Sequence, residues 1–119
     1  MAKKNPPTDL SPTIEMTHPD GYESLAAVLC SAMRQASVGK GKARHAGELP
    51  YHLQPMQVVA EMLGTVDGIM FQAIKKIRES KRLPPDRAVA ELLGAINYIA
   101  GAVIYIDKHG LPNNETENN

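Results

Sequence analysis

The chain has 119 residues, which is the length of one domain. Hydrophobic residues make up 43% and charged residues 22%, so the chain is expected to fold rather than to stay disordered. Thirteen basic and thirteen acidic residues give a net charge of zero, which argues against a bulk duplex-DNA binder, since such proteins carry a positive excess.

The single cysteine, Cys30, cannot form a disulfide within the chain, and a chain without disulfides fits a reducing cytoplasm. The start of the chain is charged and rich in proline, and it lacks the apolar stretch of a signal peptide. The apolar run at 88–106 approaches the length of a membrane span, but it carries Glu91 and Asn97, which are costly in hydrocarbon. We therefore expect a cytoplasmic protein without a membrane partner.

The first 19 residues hold four prolines and few apolar side chains, which predicts a disordered N-terminal arm. A single helical domain is expected over residues 20–110, followed by a disordered tail over 111–119. The first helix of this domain is predicted over 22–38, with Asp20 as its N-terminal cap and Gly39 as its stop.

A glycine-rich basic loop is predicted at 39–53, which is long for a compact domain. It brings three permanent cations and one imidazole within six residues, namely Lys40, Lys42, Arg44 and His45. Glycine frees backbone N–H groups to line an anion site, and arginine binds phosphate oxygens through two hydrogen bonds. The spacing does not match the phosphate-binding loop GxxxxGK[ST]. Three interpretations remain open: a phosphate-binding site, a solvated basic loop and a nucleic-acid contact.

Two helices are predicted after this loop. The second helix is expected to begin at Gln54–Pro55 and to end at Gly64. The third is expected over 68–82, with Thr65 or Asp67 as its cap. Helical spacing predicts their buried faces: Met56, Val59, Ala60 and Leu63 in the second helix, and Met70, Ala73, Ile74 and Ile77 in the third.

The fourth predicted helix contains the apolar run at 88–106, and a turn at 83–86 separates it from the third. Pro85 and Asp86 suit the first turn of this long helix. Proline disfavours helix in the preceding residue, so the third helix is expected to end here and to form an antiparallel hairpin with the fourth. Gly110 is expected to end the long helix. The predicted fold class is all-α, a helical hairpin of the third and long fourth helices with two shorter helices before it.

The long helix is apolar almost all round, and the other helices are too few and too short to cover it, so we expect a homo-oligomer. Gly94 and Gly101 lie seven residues apart on one side of it. Each costs a helix about 1 kcal/mol relative to alanine, which predicts that something approaches the backbone closely there. That contact is either a helix crossing within the chain, or a subunit interface or ligand wall. The predicted interface residues are Gly94, Asn97, Tyr98, Gly101 and Tyr105.

The candidate ligand site joins the basic loop to side chains near it. A second cationic wall is expected from Lys75, Lys76 and Arg78 of the third helix. Tyr51 is expected to stack on a base, and Gln54 to hydrogen-bond the edge of that base. The sequence contains no catalytic signature, so it predicts no catalytic residue and no cofactor. It also predicts no metal site, because His45 and His52 lack the paired spacing of zinc ligands.

The segments KGKARH at 40–45, QPM at 54–56 and AELLGAINYI at 90–99 resemble small uncharacterised helical proteins of phages and prophages, over residues 25–106. The resemblance implies the cytoplasm of a bacterial host and carries no activity with it. In architecture the chain is similar to phage anti-defence sponges, which are helical-hairpin oligomers that sequester cyclic nucleotide signals without cleaving them. It is also similar in outline to all-α nucleoside triphosphate pyrophosphohydrolases. Their magnesium site needs paired ExxE and ExxD carboxylates, whereas the acidic residues here stand singly: Glu61, Asp67, Glu79 and Glu91.

The leading hypothesis is therefore a homo-oligomer that binds and sequesters a small phosphate-bearing ligand, a nucleotide signal, without turning it over. The alternatives are a divergent nucleoside triphosphate pyrophosphohydrolase and a structural or protein-interaction module.

Overall fold

The computed structural model describes residues 15–38 and 49–111. Most of the predicted arm, residues 39–48 of the loop predicted at 39–53, and most of the predicted tail lie outside the described residues. Within the two described segments the regular structure is helical and no strand occurs, so the all-α prediction is confirmed. The elements are α1 (Glu23–Ser37), a 3-10 turn (Tyr51–Leu53), α2 (Pro55–Leu63), α3 (Asp67–Ser80) and α4 (Pro85–His109).

Proline and glycine set the ends of α2 and α4. Pro55 and Pro85 are the first residues of these helices, where a missing N–H group costs nothing. Gly64 and Gly110 follow the last residues, and both have φ of +75°, in the region that favours glycine. These helix ends confirm the sequence prediction.

The starts of α1 and α3 differ from the prediction. Tyr22 is the N-cap residue of α1 and no side chain caps this helix, so the assignment of Asp20 was wrong. The Gly21 N–H instead donates to the Glu23 carboxylate at 3.3 Å. The N-cap residue of α3 is Val66 rather than either predicted residue, although Thr65 Oγ1 accepts the N–H of Asp67 at 3.1 Å.

The central helix is α4, which packs most extensively against α3 and next against α1. Where α2, α3 and α4 meet, the structure has a buried cluster, and Met56 and Tyr98 pack against it. Further along the α3–α4 contact, the methylenes of Lys76 lie against Gly94. The buried cluster comprises Ala60, Val66, Ile69, Ala102 and Tyr105.

Small side chains dominate the interior. Among the described residues, six of the nine buried hydrophobic residues are alanines, and no large side chain is less than 2% exposed. Helical spacing identifies an apolar stripe on a helix but does not say what covers it, and here the helices approach each other over alanine and glycine. The predictions for Ala60 and Ala73 are confirmed, and Met56 is partly buried. The predicted core positions Val59, Leu63, Met70, Ile74 and Ile77 are exposed, so those assignments were wrong.

Candidate functional site

A cavity of about 790 Å³ lies between α1 and α4 and is bordered by the segment at 49–54. We call it the α1–α4 cavity. Its volume is within the range of small-molecule sites, roughly 300–1,000 Å³. No described residue of its lining carries a charge, and most are apolar. The lining residues are Met16, Leu29, Ala32, Met33, Ala36, Ser37, Leu49, Pro50, Tyr51, Gln54, Ile96, Asn97, Ala100 and Ile104.

The two long walls of the cavity come from helical repeats. Leu29, Met33 and Ala36 follow each other at four and three residues along α1, so their side chains share one side of the helix. Ile96, Ala100 and Ile104 follow at four residues each along α4. The second half of α1 therefore forms one wall of the cavity, while Tyr22 at the N-cap and Leu25 in the first turn are exposed.

Three polar side chains of the lining hydrogen-bond to backbone carbonyls and so hold the walls together. The Tyr51 hydroxyl donates to the carbonyl of Asn97. The Asn97 amide donates to the carbonyl of Ala32 at 2.9 Å, which joins α4 to α1. The Gln54 amide donates to the carbonyl of Leu49 at 3.0 Å. The Tyr51 bond fixes the segment at 49–54 against α4, the Gln54 bond closes that segment on itself, and the Asn97 bond joins the two helices that form the cavity.

Tyr51 remains a neutral phenol over the physiological pH range. Burial raises its pKa to about 12, and the neighbouring Tyr98 adds to the shift because two phenolates would repel each other. A neutral phenol donates a hydrogen bond, which is the role Tyr51 has toward the Asn97 carbonyl. The phenol therefore positions the chain at the edge of the cavity.

The structure brings together only part of the predicted ligand site. Tyr51 and Gln54 both line the α1–α4 cavity, but Lys75 and Lys76 do not. Lys76 Nζ pairs with Glu91 at 3.4 Å, so this cation is already neutralised within the α3–α4 contact. Lys75 is exposed on α3. The predicted second cationic wall is therefore absent from the described lining of this cavity.

The four predicted phosphate ligands, Lys40, Lys42, Arg44 and His45, lie outside the described residues. The segment that carries them leaves the described chain after Val38 and rejoins it at Leu49. Ser37 and Leu49 both line the α1–α4 cavity. Described residues near both ends of the basic segment therefore lie at the edge of this cavity.

The two helix-interior glycines of α4 are sites of close contact within the chain, which is one of the two alternatives left open by the sequence. A methyl group added at Gly94 would lie 3.0 Å from Lys76 Cδ, and one added at Gly101 would overlap the Met56 sulfur. The buried Gln57 amide also donates to the Gly101 carbonyl at 2.8 Å. Tyr105 is only 6% exposed. Three of the predicted interface residues are thus covered by their own chain, and Asn97 and Tyr98 are half-buried.

A different side of α4 is exposed and apolar. We call it the outer face of α4 and define it as Val89, Leu92, Ile96, Ile99 and Val103. Four of these side chains are between 41% and 61% exposed, and Ile96 is half-buried at the edge of the cavity. Sequence reasoning placed them in one apolar stripe but did not select them as an interface. The available signal was their alternating spacing of three and four residues.

Pro85–His109 is also the one helix among the described residues that is long and apolar enough to cross a membrane, judged by length and composition only. A soluble core helix passes the same test. The expectation of a protein without a membrane partner stays a prediction.

A polar cluster ties the end of α4 to α2. Glu61 Oε2 accepts hydrogen bonds from Lys108 Nζ at 3.0 Å and contacts His109 Nε2 at 3.1 Å. The bond to Lys108 and then the contact with His109 lower the pKa of the Glu61 carboxyl. The His109 ring also lies 4.5 Å from the ring of Tyr105. All of these groups except Tyr105 lie at the surface, so the cluster is an electrostatic link rather than a closed site.

Within residues 15–38 and 49–111, no three His, Cys, Asp or Glu side chains group as ligands for a metal ion. Comparison with protein-family models, with curated proteins and with solved structures finds no match to this chain. The candidate site is therefore defined by its own geometry: an apolar cavity with neutral polar groups at one edge.

Proposed function

We propose that this protein is a homo-oligomer that binds a small phosphate-bearing ligand, a nucleotide signal, in the α1–α4 cavity and sequesters it without turnover. The observation that carries the proposal is the cavity itself, whose apolar walls suit a flat base. Tyr51, Gln54 and Asn97 supply neutral hydrogen-bonding groups at its edge. In this proposal the phosphates are held by the cations predicted at 40–45, and the support is that Ser37 and Leu49, which flank that segment in the described structure, both line the cavity.

The proposed hairpin has support from the α3–α4 contacts. Lys76, late in α3, lies against Gly94, early in α4. Ile69, early in α3, lies in one cluster with Tyr105, late in α4. Residue numbers in α3 therefore decrease as the numbers of their contacts in α4 increase, which is the order expected of two antiparallel helices. The proposed oligomer has support from the exposed apolar side chains of all four helices.

Isothermal titration calorimetry of the full chain against cyclic and linear nucleotides tests the proposal. Binding heat is expected for at least one nucleotide, and affinity should fall as salt is added, because the phosphate contacts are ionic. The absence of heat with every nucleotide would overturn the proposal.

Two variants locate the site. Ala100→Phe places a phenyl ring in the open edge of the cavity and should weaken binding strongly, and joint replacement of Lys40, Lys42 and Arg44 by alanine should abolish it. The matched control replaces the exposed cations Lys75, Lys81 and Arg82 by alanine, removing the same charge from α3 and its C-terminal end. The control should bind like the wild type.

Two other functions remain alternatives from the sequence. The exposed apolar surface favours a structural or protein-interaction module, which would tolerate the triple alanine variant without loss of function. A divergent pyrophosphohydrolase would release pyrophosphate from a nucleoside triphosphate in a magnesium-dependent reaction. The phage origin and the bacterial cytoplasm implied by the resemblance also stay predictions.

A further inference from the structure

We propose that a second copy of this chain docks on the outer face of α4 and closes the open side of the α1–α4 cavity. The docking surface differs from the glycine side of α4, which α2 and α3 already cover. The inference takes from the proposed function the idea that a ligand occupies the cavity. The docking itself is argued from the geometry of α4.

The spacing along the outer face of α4 is that of a helix–helix interface. Val89, Leu92, Ile96, Ile99 and Val103 follow at three, four, three and four residues, which is the repeat that keeps one seam of a helix against a partner helix. β-Branched residues occupy the first position of each repeat. Four of these five side chains are at least 41% exposed in the single chain, so no element within residues 15–38 and 49–111 covers this seam.

Charge favours a second copy as the occupant. The outer face carries no charged residue, and Glu91, the only carboxylate within 88–106, is paired with Lys76 on α3. A neutral aliphatic seam is complementary to an identical seam. The chain has a net charge of zero, so no long-range repulsion opposes the approach of two copies. The composition of the interior supplies a further reason: alanines dominate it, while many large apolar side chains are exposed and would be covered by a second copy.

The docking surface and the cavity share residues. Ile96 belongs to the outer face and lines the α1–α4 cavity, and Ala100 lies one helical turn further along the same wall. Ala100 is exposed in the single chain. A helix seated along the seam therefore reaches the open edge of the cavity, and its side chains become part of the cavity wall.

The first test measures solution mass by light scattering. We expect the wild type to give at least twice the 12.9 kDa of the chain, and Val103→Asp to reduce the mass to that of one chain. Val58→Asp is the matched control, because Val58 is an exposed valine on α2, outside the proposed interface. A wild type of one-chain mass at high concentration would overturn the proposal. An oligomer whose mass survives Val103→Asp would also overturn it.

The second test measures protection of the cavity edge and does not depend on Val103→Asp folding. In a Cys30→Ala background, Ala100→Cys should react with a thiol reagent several-fold more slowly than Val58→Cys, and dilution below the assembly range should remove the difference. Circular dichroism confirms that each variant is helical. Equal reaction rates at both positions in the assembled protein would overturn the shared wall.

These results separate the inference from the proposed function. A one-chain protein that still binds a nucleotide would overturn the docking and leave ligand binding in place. An assembled protein that protects position 100 but gives no heat with any nucleotide would overturn the proposed function and leave the docking in place.

Discussion

At the scale of single residues, Tyr51 does most to define the candidate site. Its hydroxyl joins the segment at 49–54 to the backbone of α4, and burial raises its pKa to about 12. The sequence made Tyr51 a candidate for stacking on a base, because an aromatic residue follows a basic segment. It could not reveal the hydrogen bond to Asn97, since that contact joins residues 46 positions apart.

The raised pKa of Tyr51 predicts a loss of stability at alkaline pH. The unfolded chain releases this proton near pH 10 and the folded chain holds it to about pH 12, so stability is intact below pH 10 and falls as the pH rises through this window. Absorbance of phenolate should show a late ionisation step that belongs to Tyr51. Tyr51→Phe should lack that late step. If the variant retained it, the late group would be another tyrosine.

The two glycines of α4 should respond differently to alanine. At Gly94 the added methyl group meets the flexible end of Lys76, which can move aside, so the gain in helix propensity of about 1 kcal/mol should offset the contact. At Gly101 the methyl group overlaps the Met56 sulfur next to a buried amide, and overpacking of this kind costs about 1–3 kcal/mol. Urea unfolding should therefore rank Gly101→Ala below Gly94→Ala in stability. The reverse order would show that the Met56 side chain moves away from the added methyl group at little cost in stability.

At the scale of helices, the sequence predicted ends better than faces. Pro55, Gly64, Pro85 and Gly110 act through their own backbone, so local sequence suffices to place them. The buried face of a helix depends on which neighbour approaches it. In α3 three members of the predicted stripe are exposed, whereas Ala73 within it and Ile69 outside it are buried, and spacing alone could not choose between these positions. The exposed members are Met70, Ile74 and Ile77.

The link between α2 and α4 predicts a dependence on acidic pH. The lowered pKa of Glu61 means that the carboxylate stabilises the fold above its ordinary value of 4.5, and that this contribution is lost as the pH falls through the lower folded value. The effect should be small because Glu61 is at the surface. The melting temperature, measured from neutral to acidic pH, should depend less steeply on pH for Glu61→Gln than for the wild type. Glu79→Gln, on the exposed side of α3, serves as the control and should follow the wild type.

At the scale of the whole molecule, the interior consists mainly of alanine and glycine, so it should be destabilised by substitutions that enlarge a side chain rather than by those that shorten one. Ala95 is 2% exposed in the described structure, so Ala95→Leu must force α4 away from its neighbours, at a cost of about 1–3 kcal/mol. Ala90→Leu places the same side chain on an exposed position of the same helix and should cost little. Denaturant unfolding of both variants gives the comparison. Equal stability of the two variants would show that the interior has room that the structure does not show.

The large aliphatic side chains on the outer face of α4 have a consequence for temperature. Apolar association is driven by solvent entropy near room temperature and weakens on cooling. Subunits joined through such a face should separate in the cold while each chain keeps its helices, so chilled and warm samples of one preparation would differ in size but not in helicity. A ligand held by walls from two subunits would then be released by refrigeration alone.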